Sequence, residues 1–444
     1  MLLPDATLNL SRLYSELSFV RIDPRLLAFG FLMTMCSTFG QTFFVSLYAN
    51  YIKADFGLSN GEFGAAYSLG TIGSAAVLTW SGHWIDRIDL RLWTKLVIVL
   101  FAFACLTMAL AQNFIMLVVA IFLLRQAGQG LMTHTAMTSQ ARYHDLARGR
   151  AVATAGLGFP AAESFIPLIG VLLAASLGWR ETWFLFAAFM IVALLPLVLW
   201  LLKGHDIRHA AYLQRDLHTA PLDQTKGAEE QEDGDSYLHE VLIHARKHWR
   251  RREVLRDYRF YILLPVILAP SFITTGLFFH QVKLSFDKGW PVTQWAVTFS
   301  ALAGASVVGA IVSGIVTDRV GAVRLLPWLL APLGLACFVL AQSDVIWIAW
   351  AFMTLTGVTT GALQTFFGAF WAEAYGTHYL GSIRALATAL MVLSSALSPV
   401  IMGLMIDAGT SMNTIALACG AYCFFATGIA VYSSSIYRRK TEHT

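Results

Sequence analysis

Two charged residues stand where the sequence otherwise reads as hydrocarbon: Arg125 in FIMLVVAIFLLRQAGQGLM and Glu163 in GLGFPAAESFIPLIG. An ionisable group inside a bilayer is costly and usually faces a cavity or a partner. A guanidinium can hold a carboxylate through two parallel hydrogen bonds, and a carboxyl in a low-dielectric site can carry a proton. That pairing of types points to binding an anion and moving a proton with it. The plainer alternatives are an arginine bonded to helix carbonyls and a glutamate that only holds two helices together. Polar residues in other apolar runs are candidate contacts for the same solute. They are Gln41 and Thr42 in FGQTFFVSLYANY, Gln129 between Gly128 and Gly130, and His280 and Gln281 in FFHQ. Trp371 and Glu373 in FWAEAYG read as gate or anchor groups.

The elements that must position these residues are membrane helices. The chain has 444 residues, 57% of them hydrophobic and 13% charged, with a mean hydropathy of +0.62. That is outside the range of soluble globular proteins. About 20 apolar residues cross the roughly 30 Å of hydrocarbon. The chain is expected to be all-α, with twelve such stretches. Those of the first half run from roughly 27 to 51, 62 to 85, 92 to 111, 114 to 138, 151 to 176 and 182 to 202. Those of the second run from roughly 259 to 283, 292 to 316, 324 to 341, 345 to 371, 382 to 406 and 412 to 434. Arg125 then lies about 16 Å into the fourth helix at 1.5 Å per residue, and Glu163 about 20 Å past Arg150 in the fifth. The expected organisation is a six-helix bundle over 1–202, a linker over 203–257 and a second bundle over 258–444.

Charge sets the expected orientation. Of 31 Lys and Arg, 26 fall on the side that holds both termini and the linker, so that side is expected to be cytoplasmic, in a cell inner membrane. The net charge of +4 is thereby explained by topology, without nucleic acid. The linker changes from an acidic run, GAEEQEDGDS, to a basic amphipathic stretch, YLHEVLIHARKHWRRREVLRDYRF, suited to anionic headgroups. The N-terminus lacks a cleavable-signal pattern. The five cysteines sit in apolar runs without metal-ligand spacing and read as packing residues.

An internal repeat joins the halves. Helix 2 ends in G-x-x-x-D-R at Gly82 to Arg87, and helix 8 does so at Gly314 to Arg319, an offset of 232. RAVATA at Arg150 and RALATA at Arg384 are offset by 234. Such a duplication places a solute site between the halves near the midplane. The G-x-x-x-D-R loops resemble the signature of the major facilitator superfamily, with Asp89 where glycine is usual and Ala322 and Val323 where basic residues are usual. The stretch RYHDLARGRAVATAGLGFP is similar to the monocarboxylate and oxalate:formate branch, and Arg125 with its following glycines resembles a helix 4 pattern near that superfamily's coupling site. The resemblance implies a twelve-helix transporter. In it Asp86, Arg87, Asp318 and Arg319 would gate, the two carboxylates facing the starts of helices 11 and 5 across the repeat interface.

There is no G-x-x-x-x-G-K-[ST] loop, no paired-metal spacing and no G-x-S-x-G elbow, so no enzyme, metal or cofactor is expected. Three functions stay open. The first is proton-coupled symport of a small organic anion through Arg125, with Glu163 as proton carrier. The others are proton-driven efflux of a metabolite or toxic compound, and a non-transporting membrane sensor. The expected partners are a small anionic solute, protons and membrane lipid, and the expected state is monomeric.

Overall fold

A computed structural model describes residues 23–144, 147–210, 212 and 249–442, with side chains to Tyr437. The acidic run and most of the basic amphipathic stretch of the linker lie outside these residues. Helix and turn make up the described chain, and no strand occurs in it. An apolar chain in lipid must satisfy its backbone internally, and the helix does so segment by segment.

The first rod, α1, is bent by 46° between Pro24–Gly40 and Thr42–Phe56. It is followed by α2 (Asn60–Ser81), α3 (Leu90–Ala109), α4 (Phe114–Tyr143), α5 (Arg148–Leu177) and α6 (Trp179–Leu201). The second half holds α7 (Tyr258–Phe279, continuing as Gln281–Asp287), α8 (Val292–Val320), α9 (Ala322–Gln342), α10 (Trp347–Tyr375), α11 (Leu380–Asp407) and α12 (Met412–Glu442). Short polar caps start several of them: Asp23 on α1, Ser59 with Glu62 on α2, Asp89 on α3, Asn113 on α4 and Asp257 on α7. Each side-chain carboxylate, amide or hydroxyl oxygen accepts from an amide that the first helical turn leaves unpaired.

Among the described residues nine of these helices are long and apolar enough to cross a membrane, and the bent α1 makes a tenth. The long helices α2 and α10 fall short because they carry rows of small and hydroxylated residues, such as Ser68, Thr71 and Ser74 or Thr356, Thr359 and Thr360. Most of those residues are buried. Small residues of this kind let helix backbones approach in a medium that gives no hydrophobic drive to helix association.

One hydrophobic cluster runs from Leu26 to Leu202, with Phe279 added, and another from Val254 to Tyr437. The halves meet along two seams, α2 against α11 and α5 against α8. The helix ends that carry the D-R loops define the basic side, and the opposite ends the far side. Among the described residues the hydrogen bonds between the halves lie in the far-side part of the molecule. Toward the basic side the seams part. Asp86, Asp318 and Arg384, and the α11 residues Ala385, Thr388 and Ala389, are exposed. The space between the halves therefore opens to the basic side.

Candidate functional site

The bend in α1 is set by contact with α4. A Cβ on Gly40 would lie 2.3 Å from the Leu124 carbonyl oxygen and 2.9 Å from Gly128 Cα, so only glycine allows the two backbones to touch there. Helix 1 turns through a 3-10 segment to Gly40, and Gln41 leaves the helix with φ −82° and ψ 152°. The break frees carbonyls that a continuous helix would use. On the facing side α4 also loosens, with a π-helical stretch over Arg125–Met132.

Arg125 occupies the gap between these irregular segments and is buried, at 5% exposure. Its guanidinium donates to the freed Gly40 carbonyl and to Thr42 Oγ1, both at 3.3 Å. Tyr67 of α2 lies with its ring 5.4 Å from the guanidinium carbon, and its hydroxyl donates to Thr42 Oγ1 at 2.6 Å. Nε of Arg125 is buried without a partner, and no carboxylate among the described residues lies within ion-pair distance of it. Two long hydrogen bonds and a ring face are a thin return for burying a full charge. Gln41, Thr42 and Gln129 lie on the same two irregular segments, each half-buried. Gln126 is the settled part of this wall: it accepts from Ser74 at 3.1 Å and donates to Ser81 at 2.8 Å.

Glu163 lies on α5 opposite that helix's exposed stripe of Phe165, Ile169 and Leu172. At about 100° per residue it sits roughly 160° round from Phe165, on the side of the buried Ala162, Ile166, Pro167 and Gly170. It therefore faces protein. It is half-buried and makes no hydrogen bond or ion pair among the described residues. Arg125 and Glu163 are not paired with each other in this state.

His280 and Gln281 occupy the far-side seal, fully enclosed. His280 Nε2 meets the Pro399 carbonyl at 2.9 Å. Gln281 is wholly buried, donates across the halves to the Phe43 carbonyl at 2.6 Å and to Ser46 Oγ at 2.7 Å, and accepts from Trp295 Nε1 at 2.7 Å. Ser46 Oγ donates to the Phe278 carbonyl at 2.7 Å, and Phe63 stacks on Phe279 at 4.9 Å.

At the basic side Asp86 pairs with Arg142 of its own half, and Arg87 is exposed. Asp318 and Arg319 are exposed, and Asp318 has no bonded partner among the described residues. The two departures from the signature loop explain each other. Asp89 caps α3, accepting from the Arg91 and Leu92 amides at 2.9 and 3.2 Å. In the second half the matching position is Gly321, with φ +89°, and Glu373 reaches over from α10 to accept from the Ala322 amide at 2.7 Å. Glu373 is thus an anchor. In this state neither Asp86 nor Asp318 makes a bond to the opposite half among the described residues.

Residue types alone did not single out Tyr67, which reads as core in an apolar run, or Asp407, which reads as a helix end. Asp407 accepts three hydrogen bonds from the start of α2.

The Major Facilitator Superfamily model matches residues 30–399. Among solved structures, a bacterial homolog of the human lysosomal transporter Spinster, inward-facing and unoccupied, aligns with a TM-score of 0.64 at 14% identity, covering 93% of this chain and 97% of its own. The nucleoside transporter NupG aligns with a TM-score of 0.65 at 12% identity, covering 94% and 98%. At such identities the likeness is one of fold. A search of the curated proteins finds no significant match.

Proposed function

The chain belongs to the major facilitator superfamily, and from that premise we propose that it is a proton-coupled carrier of a small organic anion, working by alternating access. The basic side is taken as cytoplasmic, in a cell inner membrane, by the excess of Lys and Arg there. The observation that carries the reading is the buried, under-bonded Arg125 at the break in α1, with no counter-charge within reach. An anionic solute supplies what the site lacks: acceptors for the free donors and a negative charge. Gln41, Thr42 and Gln129 supply neutral contacts around it, and Tyr67 holds Thr42 and the guanidinium in register.

Glu163 faces the protein interior and is not committed to any partner, which suits a group that takes up and gives back a proton as the halves rock. Protonation as the anion enters keeps the net charge moved small. His280 and Gln281 serve this scheme from the far-side seal, closing the path beyond the solute. Asp86, Arg87, Asp318 and Arg319 act when the basic side closes.

The test uses purified protein in proteoliposomes with a panel of mono- and dicarboxylates, selected by thermal shift. Arg125→Lys is expected to lose most binding, since lysine keeps the charge without the fork. Glu163→Gln should keep binding and solute exchange while losing uptake driven by a proton gradient. Full binding by Arg125→Ala would remove the anion site, and gradient-driven uptake at wild-type rate by Glu163→Gln would remove the proton carrier.

A further inference from the structure

We propose that Asp407 is the positioning residue that locks the far side, holding α11 of the second half onto the first turn of α2 of the first. The inference rests only on the alternating-access part of the reading above and is independent of solute and coupling ion.

The contact is specific in its atoms. Asp407 Oδ1 accepts from the Asn60 amide at 3.1 Å and from Asn60 Nδ2 at 3.0 Å, and Oδ2 accepts from the Gly61 amide at 2.7 Å. Those two amides belong to the helix turn that has no carbonyls of its own to bond, and the end of a helix dipole favours a negative charge there. Lys53 of α1 donates to Asn60 Oδ1 at 2.8 Å, which turns the Asn60 amide nitrogen toward Asp407. Three residues of the first half are therefore arranged around one carboxylate of the second.

Behind the carboxylate the two helices touch backbone to backbone. A Cβ on Gly403 would lie 2.5 Å from the Asn60 carbonyl oxygen, and one on Gly64 would lie 2.5 Å from that of Pro399. Ser68 Oγ then donates to the Ala396 carbonyl. Asp407 stands at the exposed outer end of this run of contacts, where water can compete for the amides first. Removing it opens the seam from its edge.

The other seam has no such group. At the repeat offset of 234 the counterpart of Asp407 is Leu173 on α5, and the neighbouring residues Val171 and Val292 are apolar as well. Of these two seams α2–α11 is held by polar bonds and α5–α8 by packing, while buried bonds of Gln281 and Ser46 join α7 to α1 between them. A rocking motion must break directional bonds at the α2–α11 seam, where Asp407 is the exposed one, and only slide apolar surface at α5–α8.

The test measures gate position directly. The five native cysteines are buried, so a cysteine placed by Ser68→Cys reports opening of the far-side seam. Ala385→Cys, exposed at the basic end of α11, reports the other side. Each is labelled with a membrane-impermeant maleimide in purified protein, without solute or gradient. Asp407→Asn should raise labelling at 68 about fivefold and lower it at 385, while Asp407→Glu stays close to wild type. Gly61→Ala keeps the carboxylate, but its Cβ would fall 2.9 Å from Asp407 Oδ2 and 2.8 Å from Leu404, so it should shift both reporters the same way. Unchanged labelling in folded Asp407→Asn would overturn the proposal. So would a rise at both reporters with a lowered Tm, which marks a loosened fold, or a Glu variant that behaves like Asn. If Asp407→Asn does not fold, Gly61→Ala decides alone, and wild-type labelling in it overturns the lock.

Discussion

The far-side seal and the basic-side mouth use the same chemistry to opposite ends. At both, a carboxylate meets the amides that open a helix. On the far side the partners belong to different halves: Asp407 reaches α2, and Gln281 and Ser46 exchange bonds across the interface. On the basic side they belong to the same half: Asp89 caps α3, Glu373 caps α9 and Asp86 pairs with Arg142. The difference teaches that conformational state here is a matter of which carboxylates find their amides across the gap. The far-side set is engaged, so the protein stands open to the basic side. In this state Asp86 is held by Arg142 of its own half and Asp318 has no bonded partner among the described residues, so neither is engaged across the gap.

The sharpest way to break this comparison is to make the far-side contact impossible. A Cβ on Gly64 would meet the Pro399 carbonyl at 2.5 Å, and a backbone oxygen cannot move aside as a side chain could. Gly64→Val should therefore hold the α2–α11 seam apart, cutting transport at least about tenfold while folded protein stays in the membrane. Maleimide labelling at Ser68→Cys should rise in the same variant. Wild-type transport would mean that closure of this seam is not needed.

A smaller effect is expected at the basic side, and its two members should differ. Asp318→Asn removes a group that has no bonded partner in the state described, so its whole effect falls on the closed state. Asp86→Asn removes the pair with Arg142 in this state and, under the proposed gating role, a cross-half contact in the other. A lesion felt in both states shifts the balance less. Turnover should fall about fivefold in Asp318→Asn and about twofold in Asp86→Asn, measured by solute exchange at equal protein. Equal losses would show that Asp86 does not spend its time with Arg142. The neighbouring Asp89 has its Oδ1 engaged with the Arg91 and Leu92 amides.

Much of this architecture was legible in the residues. Apolar length located the helices, and the two repeated motifs joined the halves. Arg125 and Glu163 stood out because charge in hydrocarbon has few harmless explanations. The break in α1 was not legible, since FGQTFF contains no proline. It comes from Gly40 meeting the Leu124 carbonyl, a contact between residues far apart in sequence. Tyr67 was hidden for a similar reason: a tyrosine in an apolar run signals core until the guanidinium is seen 5.4 Å away. Asp407 looked like an ordinary helix end, because the amides it binds belong to the other half.

The smallest expected effect tests whether the basic-side mouth is braced independently of the gate. His205, just beyond α6, is 1% exposed. Its Nε2 is 3.9 Å from Asp89 Oδ2, and its ring lies edge-on to Tyr143 at 5.1 Å and stacked with His209 at 6.0 Å. Burial pushes its imidazole down to about 4; Asp89 opposes that shift, and Arg208, His209 and Arg91 add to it. The unfolded chain binds this proton near the ordinary value of 6.5 and the folded chain only near 4. The folded state is therefore favoured above pH 6.5, and that advantage is lost as pH falls from 6.5 toward 4. By pH 5.5 the loss is roughly 1 kcal/mol, since one pH unit is worth at most about 1.4 kcal/mol for one proton. Thermal melts between pH 7.5 and 5.5 should fall less steeply in His205→Asn than in wild type. If the brace and the gate are separate, maleimide labelling at Ala385→Cys should follow pH equally in both. A pH response at 385 that disappears with His205 would join the two, and the capping of α3 by Asp89 would then be part of how the mouth closes.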